Sequence, residues 1–384
     1  MSQKEGYINF EEYSQVGEPQ KAERAYAWST AIGLQAVDGL TVSQYLKDTA
    51  VRNIEGEISI DEARELIKTY YQTKTSREPD DEEKQEADKV SGNIAKIIAE
   101  QSFSFSVPTL ISFHRHIFEG VFKHAGELRP YDITKKEWVL RGDTVLYGRS
   151  QDLRMALEYD MEQERQFDYS GLNMDQVVEH LAKFVSGIWQ IHPFREGNTR
   201  TTAVFTIKYL RSIGFDVTNH LFSMHSWYFR NALVRANYQN IAKGVQRDTR
   251  FLEQFFRNLL MGERNELRNR YMLVNPPEEL AAPASTPAST PASNCSPFTT
   301  DNENILRLVK AIGHRQLSIK EMLAAVGLKD RKNFMEYSLT PAMSEGFVCL
   351  LYPDKPRHPR QKYLLTVKGS ALYNELTKDA SKLN

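Results

Sequence analysis

The chain has 384 residues, 41% of them hydrophobic, which is material for two or three ordinary domains at roughly 100–200 residues each. A formal net charge of −1 excludes a molecule that binds nucleic acid by its overall charge, so any basic patch is local. Two distant cysteines, Cys295 and Cys349, exclude a disulfide framework and fit a reducing cytosol.

No run approaches the ~20 apolar residues of a membrane span, and the opening MSQKEGYINFEEYS lacks a signal-peptide core. A cytoplasmic protein with no membrane partner is expected. In chain order, the first predicted element is a helix over 61–71, with Ala63, Leu66, Ile67 and Tyr70 on one stripe. The charged stretch 75–89 is either a loop or the exposed start of a helix. From about 93 to 270 the pattern is mainly helical. The best strand candidates there are two short arms at 137–147 around Arg141-Gly142-Asp143. A helix over 174–189 places Val177, Leu181, Phe184 and Ile188 on one face, the wide stripe of a core helix. Another begins near Asn198, turns Ala203, Ile207 and Leu210 inward and stops at Gly214. The Pro/Ala/Ser/Thr tract 281–297 cannot bury a core and reads as an extended, mobile linker. Beyond it come a helix with Ile305, Leu308, Val309 and Ile312 inward, and a second over 319–325 capped by Ser318. A third begins at Asp330 or Lys332, with Phe334, Leu339 and Met343 inward. Strands at 347–352 and 363–367 flank a turn rich in Pro, Lys and Arg. That order is a winged helix-turn-helix.

Between the helices at 174–189 and 198–214 lies HPFREGN, a tight loop that opens onto a helix N-terminus. Unpaired N–H groups and the positive end of the helix dipole make such a terminus an anion site. Gly197 allows close backbone approach, Asn198 offers an amide, and Arg200 sits one turn in, where it can add a charge-assisted contact to phosphate. Glu196 is a carboxylate of the kind that holds Mg²⁺ against phosphate oxygens. His192 is placed to take a proton from an attacking hydroxyl. A phosphate cradle, a base and a metal carboxylate within nine residues point to phosphoryl or nucleotidyl chemistry. There is no GxxxxGK(S/T), GxGxxG or HExxH pattern. His114 and His116 have no clustered Cys or carboxylate and do not read as a metal site.

HPFREGNTR at 192–200 resembles the signature of Fic (Fido) proteins, H-x-F-x-(D/E)-G-N-G-R-x-x-R, at His192, Phe194, Glu196, Gly197, Asn198 and Arg200. HAGELR at 124–129 is similar to the family's AG-x-x-R segment. The resemblance covers about residues 95–260. It implies a mainly α Fic-type helical bundle with a short β-hairpin flap, joined here to a C-terminal winged helix (α+β). Domains are then expected at 1–75 (antitoxin-like regulatory helices), 76–275 (Fic), 276–300 (linker) and 301–384 (winged helix). It also implies transfer of AMP or another NMP from ATP, with Mg²⁺, to a Ser, Thr or Tyr hydroxyl of a target protein. His192 would be the base and Glu196 the Mg²⁺ ligand. Gly197, Asn198 and Thr199 would cradle the α- and β-phosphates, with Arg200 on the outer phosphates. The flap at Leu140, Arg141, Gly142, Asp143, Thr144 and Val145 would align the target by strand addition. Two positions depart from the signature: its second glycine is Thr199 and its last arginine is Ala203.

Many Fic proteins carry an inhibitory helix, (S/T)-x-x-x-E-(G/N), whose Glu pairs with that last arginine. Two degenerate candidates exist here, Asp38-Gly39 and Glu55-Gly56; the antitoxin-like run 32–71 favours Asp38. With Ala203 in place of the partner arginine, regulation is expected to be weaker or built differently. Asn237 and Tyr238 either line the base pocket or pack a helix. The turn with Lys355, Arg357, Arg360 and Lys362 is either solvated or a wing that touches phosphates. The rival reading is therefore a DNA-binding regulator with a degenerate or sensory Fic domain. A third is the same fold moving another phosphate-containing group. The winged helix is open to DNA or protein, and a homo-oligomer is compatible with the sequence.

Overall fold

The computed structural model describes residues 18–75, 79–218, 220–275 and 298–382; the predicted linker at 281–297 and Cys295 lie outside them. Helix α1 (Pro19–Gly33) opens on a proline, whose fixed φ suits the first helical turn, and runs into a 3-10 turn (Leu34–Asp38). Gly39 ends that turn in the left-handed region, at φ 74°. Helix α2 (Gln44–Glu55) is capped by the Ser43 hydroxyl, and α3 (Ile60–Thr73) by a reciprocal box of Ser59 and Glu62. Helix α4 (Asp81–Ala99) begins with Asp81, Glu82 and Glu83, carboxylates favoured at the positive end of the helix dipole. The charged stretch of the sequence is thus largely the start of a helix. Buried Asp88 accepts hydrogen bonds from the Ser43 N–H, the Ser43 hydroxyl and the Tyr71 hydroxyl, tying α2, α3 and α4 together. Burial pushes its carboxyl pKa up, and the three donors oppose that.

Next come α5 (Val107–Ile117), α6 (Leu153–Gln166), α7 (Met174–Ile191) and α8 (Asn198–Ser212), followed by α9 (Leu221–Met224), α10 (Ser226–Asn237) and α11 (Arg250–Met261). One hydrophobic core runs through them and through the N-terminal helices, joining Trp28, Ile94, Phe118, Trp189, Phe205 and Phe255. The N-terminal helices α1 to α3 therefore share their core with α4 to α11. At Gly33 the two groups of helices approach closely: a Cβ there would lie 2.4 Å from Ser223 Cα. Every residue of α8 from Asn198 to Leu210 is buried, so the site helix is the centre of the bundle.

The two strands expected at 137–147 do not form. Trp138–Leu140 is a 3-10 turn, and Arg141 and Gly142 both take positive φ, 55° and 88°. The loop closes on itself through Glu137 N–H to the Asp143 carbonyl (2.9 Å) and Gly142 N–H to the Glu137 carbonyl (3.0 Å). Its two acidic side chains are tied elsewhere, Glu137 to Arg230 and Asp143 to Tyr238 and Lys243, so the arms follow the body and not each other.

A second core gathers Ile305, Leu308, Phe334, Leu339 and Phe347. It is built from α12 (Glu303–Ile312), α13 (Ile319–Val326), α14 (Arg331–Phe334) continuing through a π turn (Met335–Leu339) into α15 (Thr340–Ser344), and the antiparallel pair β1 (Val348–Leu350) and β2 (Tyr363–Leu365). The strands are shorter than expected. A final helix, α16 (Val367–Lys382), has no counterpart among the elements expected from sequence; it joins the two cores. Asn374 donates to the carbonyls of Ser170 and Leu172, and Gly214 and Gly346 meet backbone to backbone, leaving no room for a Cβ on either. The molecule is mainly α, with a single two-stranded sheet among the described residues. None of its described helices is long and apolar enough to cross a membrane.

Candidate functional site

The loop 192–197 is fixed from three sides. Arg129, 1% exposed, donates to the carbonyls of His192 (2.8 Å), Tyr131 (2.6 Å), Ile191 and Gly148, placing a cation at the C-terminus of α7. Phe194 is buried and stacks on the His114 ring at 3.7 Å. The Asn198 side chain accepts from Phe194 N–H (2.9 Å) and donates to the Phe194 carbonyl (2.8 Å). Its amide, expected to reach a phosphate, closes the loop instead. Gly197 sits at φ 72°, and a Cβ there would lie 2.1 Å from the Phe118 ring, so both conformation and space demand glycine.

His114 carries no local signal in the sequence because its partners are distant in the chain. Its Nδ1 accepts the Gly126 N–H (2.8 Å), so Nε2 carries the proton and donates to the Glu196 carbonyl (3.1 Å). Burial pulls its pKa from 6.5 to about 4. The unfolded chain takes up a proton below 6.5 that the folded chain refuses until about 4, so the stability this neutral ring contributes is full above 6.5 and lost as pH falls through that window. The loss corresponds to ~3 kcal/mol. Urea midpoints measured from pH 7 to pH 4 should show this slope, and His114→Gln should make it shallower, leaving the parts due to His192 and His225, which burial also holds below 6.5.

His192 ends α7 with φ 50°, is 3% exposed, and packs against the rings of Tyr147 and Trp189 at 4.3 and 5.2 Å. Nδ1 lies 3.3 Å from the Trp189 carbonyl, which only accepts, so Nδ1 carries the proton and Nε2 keeps its lone pair. That Nε2 is buried with no hydrogen-bond partner among the described residues. Burial first, then the cations Lys135, Arg129 and Arg230, hold the imidazole well below its usual pKa of 6.5, so the ring is neutral at pH 7. Behind it, Tyr147 donates to buried Glu137 (3.1 Å), which pairs with Arg230 at 2.7 Å.

At the start of α8 the N–H groups of Gly197, Asn198 and Thr199 have no hydrogen-bond partner among the described residues. Thr199 keeps them open, because its hydroxyl turns into the bundle and accepts the Trp189 indole N–H at 3.0 Å. The Glu196 carboxylate is exposed beside this nest, and no described residue pairs with it. One carboxylate beside open N–H groups has the donor chemistry that suits Mg²⁺ where phosphate and water supply the remaining ligands. Among the described residues no group of three or more His, Cys, Asp or Glu forms an all-protein cage.

Arg200 is not open to a phosphate. It is 2% exposed and held by Gln35 (3.0 Å), Asp38 (2.9 Å) and Glu86 (2.8 Å), with its guanidinium over the Phe118 ring. Asp38 thus meets the motif's first arginine, and position 203 is a fully buried alanine. Glu55 lies elsewhere and pairs with Lys21 at 2.8 Å. Asn237 donates to the carbonyls of Ser186 and Leu233, which is helix packing; Tyr238 donates to Asp143. In the 140–145 segment Leu140 and Val145 are buried, and Thr144 accepts the Lys135 N–H. The residues that sequence spacing does not reveal are Gln35, Glu86, His114, Lys135, Glu137 and Tyr147. They arrive from several separate elements.

Residues 104–210 match the Fic/DOC family. The Fic/DOC segment thus contains the whole 192–200 loop, His114, Arg129 and Lys135. Residues 303–366 match the C-terminal domain of filamentation induced by cAMP protein Fic-like. Two curated relatives, each described as a probable protein adenylyltransferase Fic, come from Salmonella typhimurium strain LT2 and Escherichia coli strain K12. Each is 28% identical over 123 residues, 32% of this chain and 58% of the relative, so the chain spans under two thirds of their length. Among solved structures, a Fic family protein from Desulfovibrio desulfuricans G20 is 18% identical, with 94% of this chain and 91% of that chain covered and a TM-score of 0.41. The N-terminal Fic domain of a Bartonella effector protein is also 18% identical, with 46% and 82% covered and a TM-score of 0.33.

Proposed function

We propose that this protein transfers a nucleoside monophosphate, AMP from ATP in the first instance, to a Ser, Thr or Tyr hydroxyl of a target protein and releases pyrophosphate. The observation that carries the reading is the neutral imidazole of His192, with Nδ1 fixed on a carbonyl and Nε2 unpaired, one loop away from an open nest of N–H groups. The hydroxyl oxygen attacks the α-phosphorus, its proton passes to His192 Nε2, and the bond from the α-phosphorus to the pyrophosphate oxygen breaks. The backbone N–H groups of Gly197, Asn198 and Thr199 hold the phosphates, so the catalysis is mostly positioning and charge stabilisation. Glu196 would hold Mg²⁺, which when bound neutralises charge on the phosphate oxygens. The segment 140–145, anchored through Asp143 and Tyr238, would guide the target chain past His192.

Arg200 joins the phosphates only after it leaves Asp38 and Glu86, so the paired arrangement is a resting one. Asp38 is in this reading the inhibitory carboxylate, and Glu86 acts beside it. The test is incubation of the protein with Mg²⁺ and a panel of nucleoside triphosphates labelled at the α-phosphate, in cell lysate. One nucleotide should leave its label on protein, and the panel separates AMP from other NMP groups.

A second reading concerns residues 303–366. Lys355, Arg357 and Arg360 are exposed on the turn between β1 and β2, where a winged helix touches phosphates. Binding of the full chain to duplex DNA that weakens with salt would support a regulator in which this turn is the contact.

A further inference from the structure

We propose that Lys135 binds the polyphosphate of the nucleotide and supplies the cationic charge that Ala203 does not. The inference rests on the transferase reading and deepens it. Segment 133–137 leads into the 3-10 turn, and burial alternates along 133–139. Ile133, Lys135, Glu137 and Val139 face inward, while Thr134, Lys136 and Trp138 face solvent. Lys135 therefore shares a face with Glu137, whose carboxylate contacts the Tyr147 that packs on the His192 ring. Three cations act on that ring: Lys135, Arg129 and Arg230. Arg129 is bound to backbone carbonyls, and Arg230 is paired with Glu137. The Lys135 ammonium alone of the three has no hydrogen bond or ion pair with a described residue, although it is half-buried and lies in the field of Asp38, Glu137 and Glu196.

Its position fits a phosphate. A half-buried ammonium with no partner among the described residues, two residues from the Glu137 that backs the base through Tyr147, can take a phosphate oxygen. Arg200 is engaged by two carboxylates, and position 203 is a buried alanine, so neither meets the phosphate charge in the resting protein. The leaving pyrophosphate gains negative charge as its bond to the α-phosphorus breaks, and a fixed ammonium there stabilises it. Lysine suits this place because it acts as a compact point charge and needs no bidentate geometry.

The experiment compares wild type, Lys135→Met and Lys135→Arg as full chains. Affinity for Mg-ATP and for adenosine is measured by calorimetry, and transfer rate is followed with α-labelled ATP. Lys135→Met should weaken Mg-ATP binding about tenfold, leave adenosine binding unchanged and lower kcat; Lys135→Arg should restore binding to within about threefold. A merely structural lysine would not separate ATP from adenosine. If Lys135→Met binds Mg-ATP and transfers as wild type does, the proposal is overturned while the transferase reading stands. If wild type binds no triphosphate and transfers nothing, both fall.

Discussion

His192→Ala should abolish nucleotide transfer while leaving nucleotide binding within about twofold of wild type. The loss should be at least 10²–10⁴-fold, the range for removing a positioned general base. The contrast comes from where the ring sits. Its backbone is held by Arg129 and by the Trp189 carbonyl, contacts that survive the substitution, and the N–H nest belongs to the next helix. The cavity left between Tyr147 and Trp189 costs stability, but the loop itself is closed by Asn198 and Phe194. Because the imidazole is held well below 6.5, wild-type transfer should also keep its rate on the acid side of pH 6.5. Protonation removes the lone pair only once pH falls through that depressed value. A rate that already fails near pH 6.5 would show that another group is the base.

Asp38→Asn combined with Glu86→Gln should raise affinity for Mg-ATP and speed transfer, each by about tenfold or more. Both substitutions keep hydrogen-bonding groups but remove the charges that hold Arg200. The two carboxylates are partly exposed, 41% and 25%, so each ion pair is weaker than a fully buried one. Arg200 itself is buried, and losing both counter-charges leaves it favouring an incoming phosphate. A fall in melting temperature together with the gain in binding is the expected signature. A fall in stability with no gain in binding would mean that these contacts only brace α8 against the N-terminal helices. Glu55→Gln, on the outer surface beside Lys21, should change neither.

The sequence marks the loop between α7 and α8 well and the setting of that loop poorly. His192, Glu196 and Gly197 stand near each other because α7 and α8 flank a short loop, and both helices are written in wide apolar stripes. The 137–147 segment misleads because alternation of apolar residues signals a strand only when the partner arm is free to pair. Here Glu137 and Asp143 are anchored to Arg230 and Lys243, nearly a hundred residues away, and two positive-φ residues tighten the turn. Thr199 and Ala203, which look like losses from the motif, are explained by packing: one accepts the Trp189 indole N–H and the other is wholly buried. The Arg200 cluster with Gln35, Asp38 and Glu86 draws on three elements and has no local spacing to reveal it.

The central claim is that a hydroxyl oxygen attacks the α-phosphorus of a nucleoside triphosphate beside His192. The most direct measurement uses two labels on the same nucleotide, one at the α-phosphate and one at the γ-phosphate, with wild type and with the Asp38→Asn, Glu86→Gln variant. The account predicts α-label on protein, γ-label only in released pyrophosphate, and neither event with His192→Ala. Label from the γ-phosphate on protein, or no transfer even when Arg200 has been freed, would contradict it.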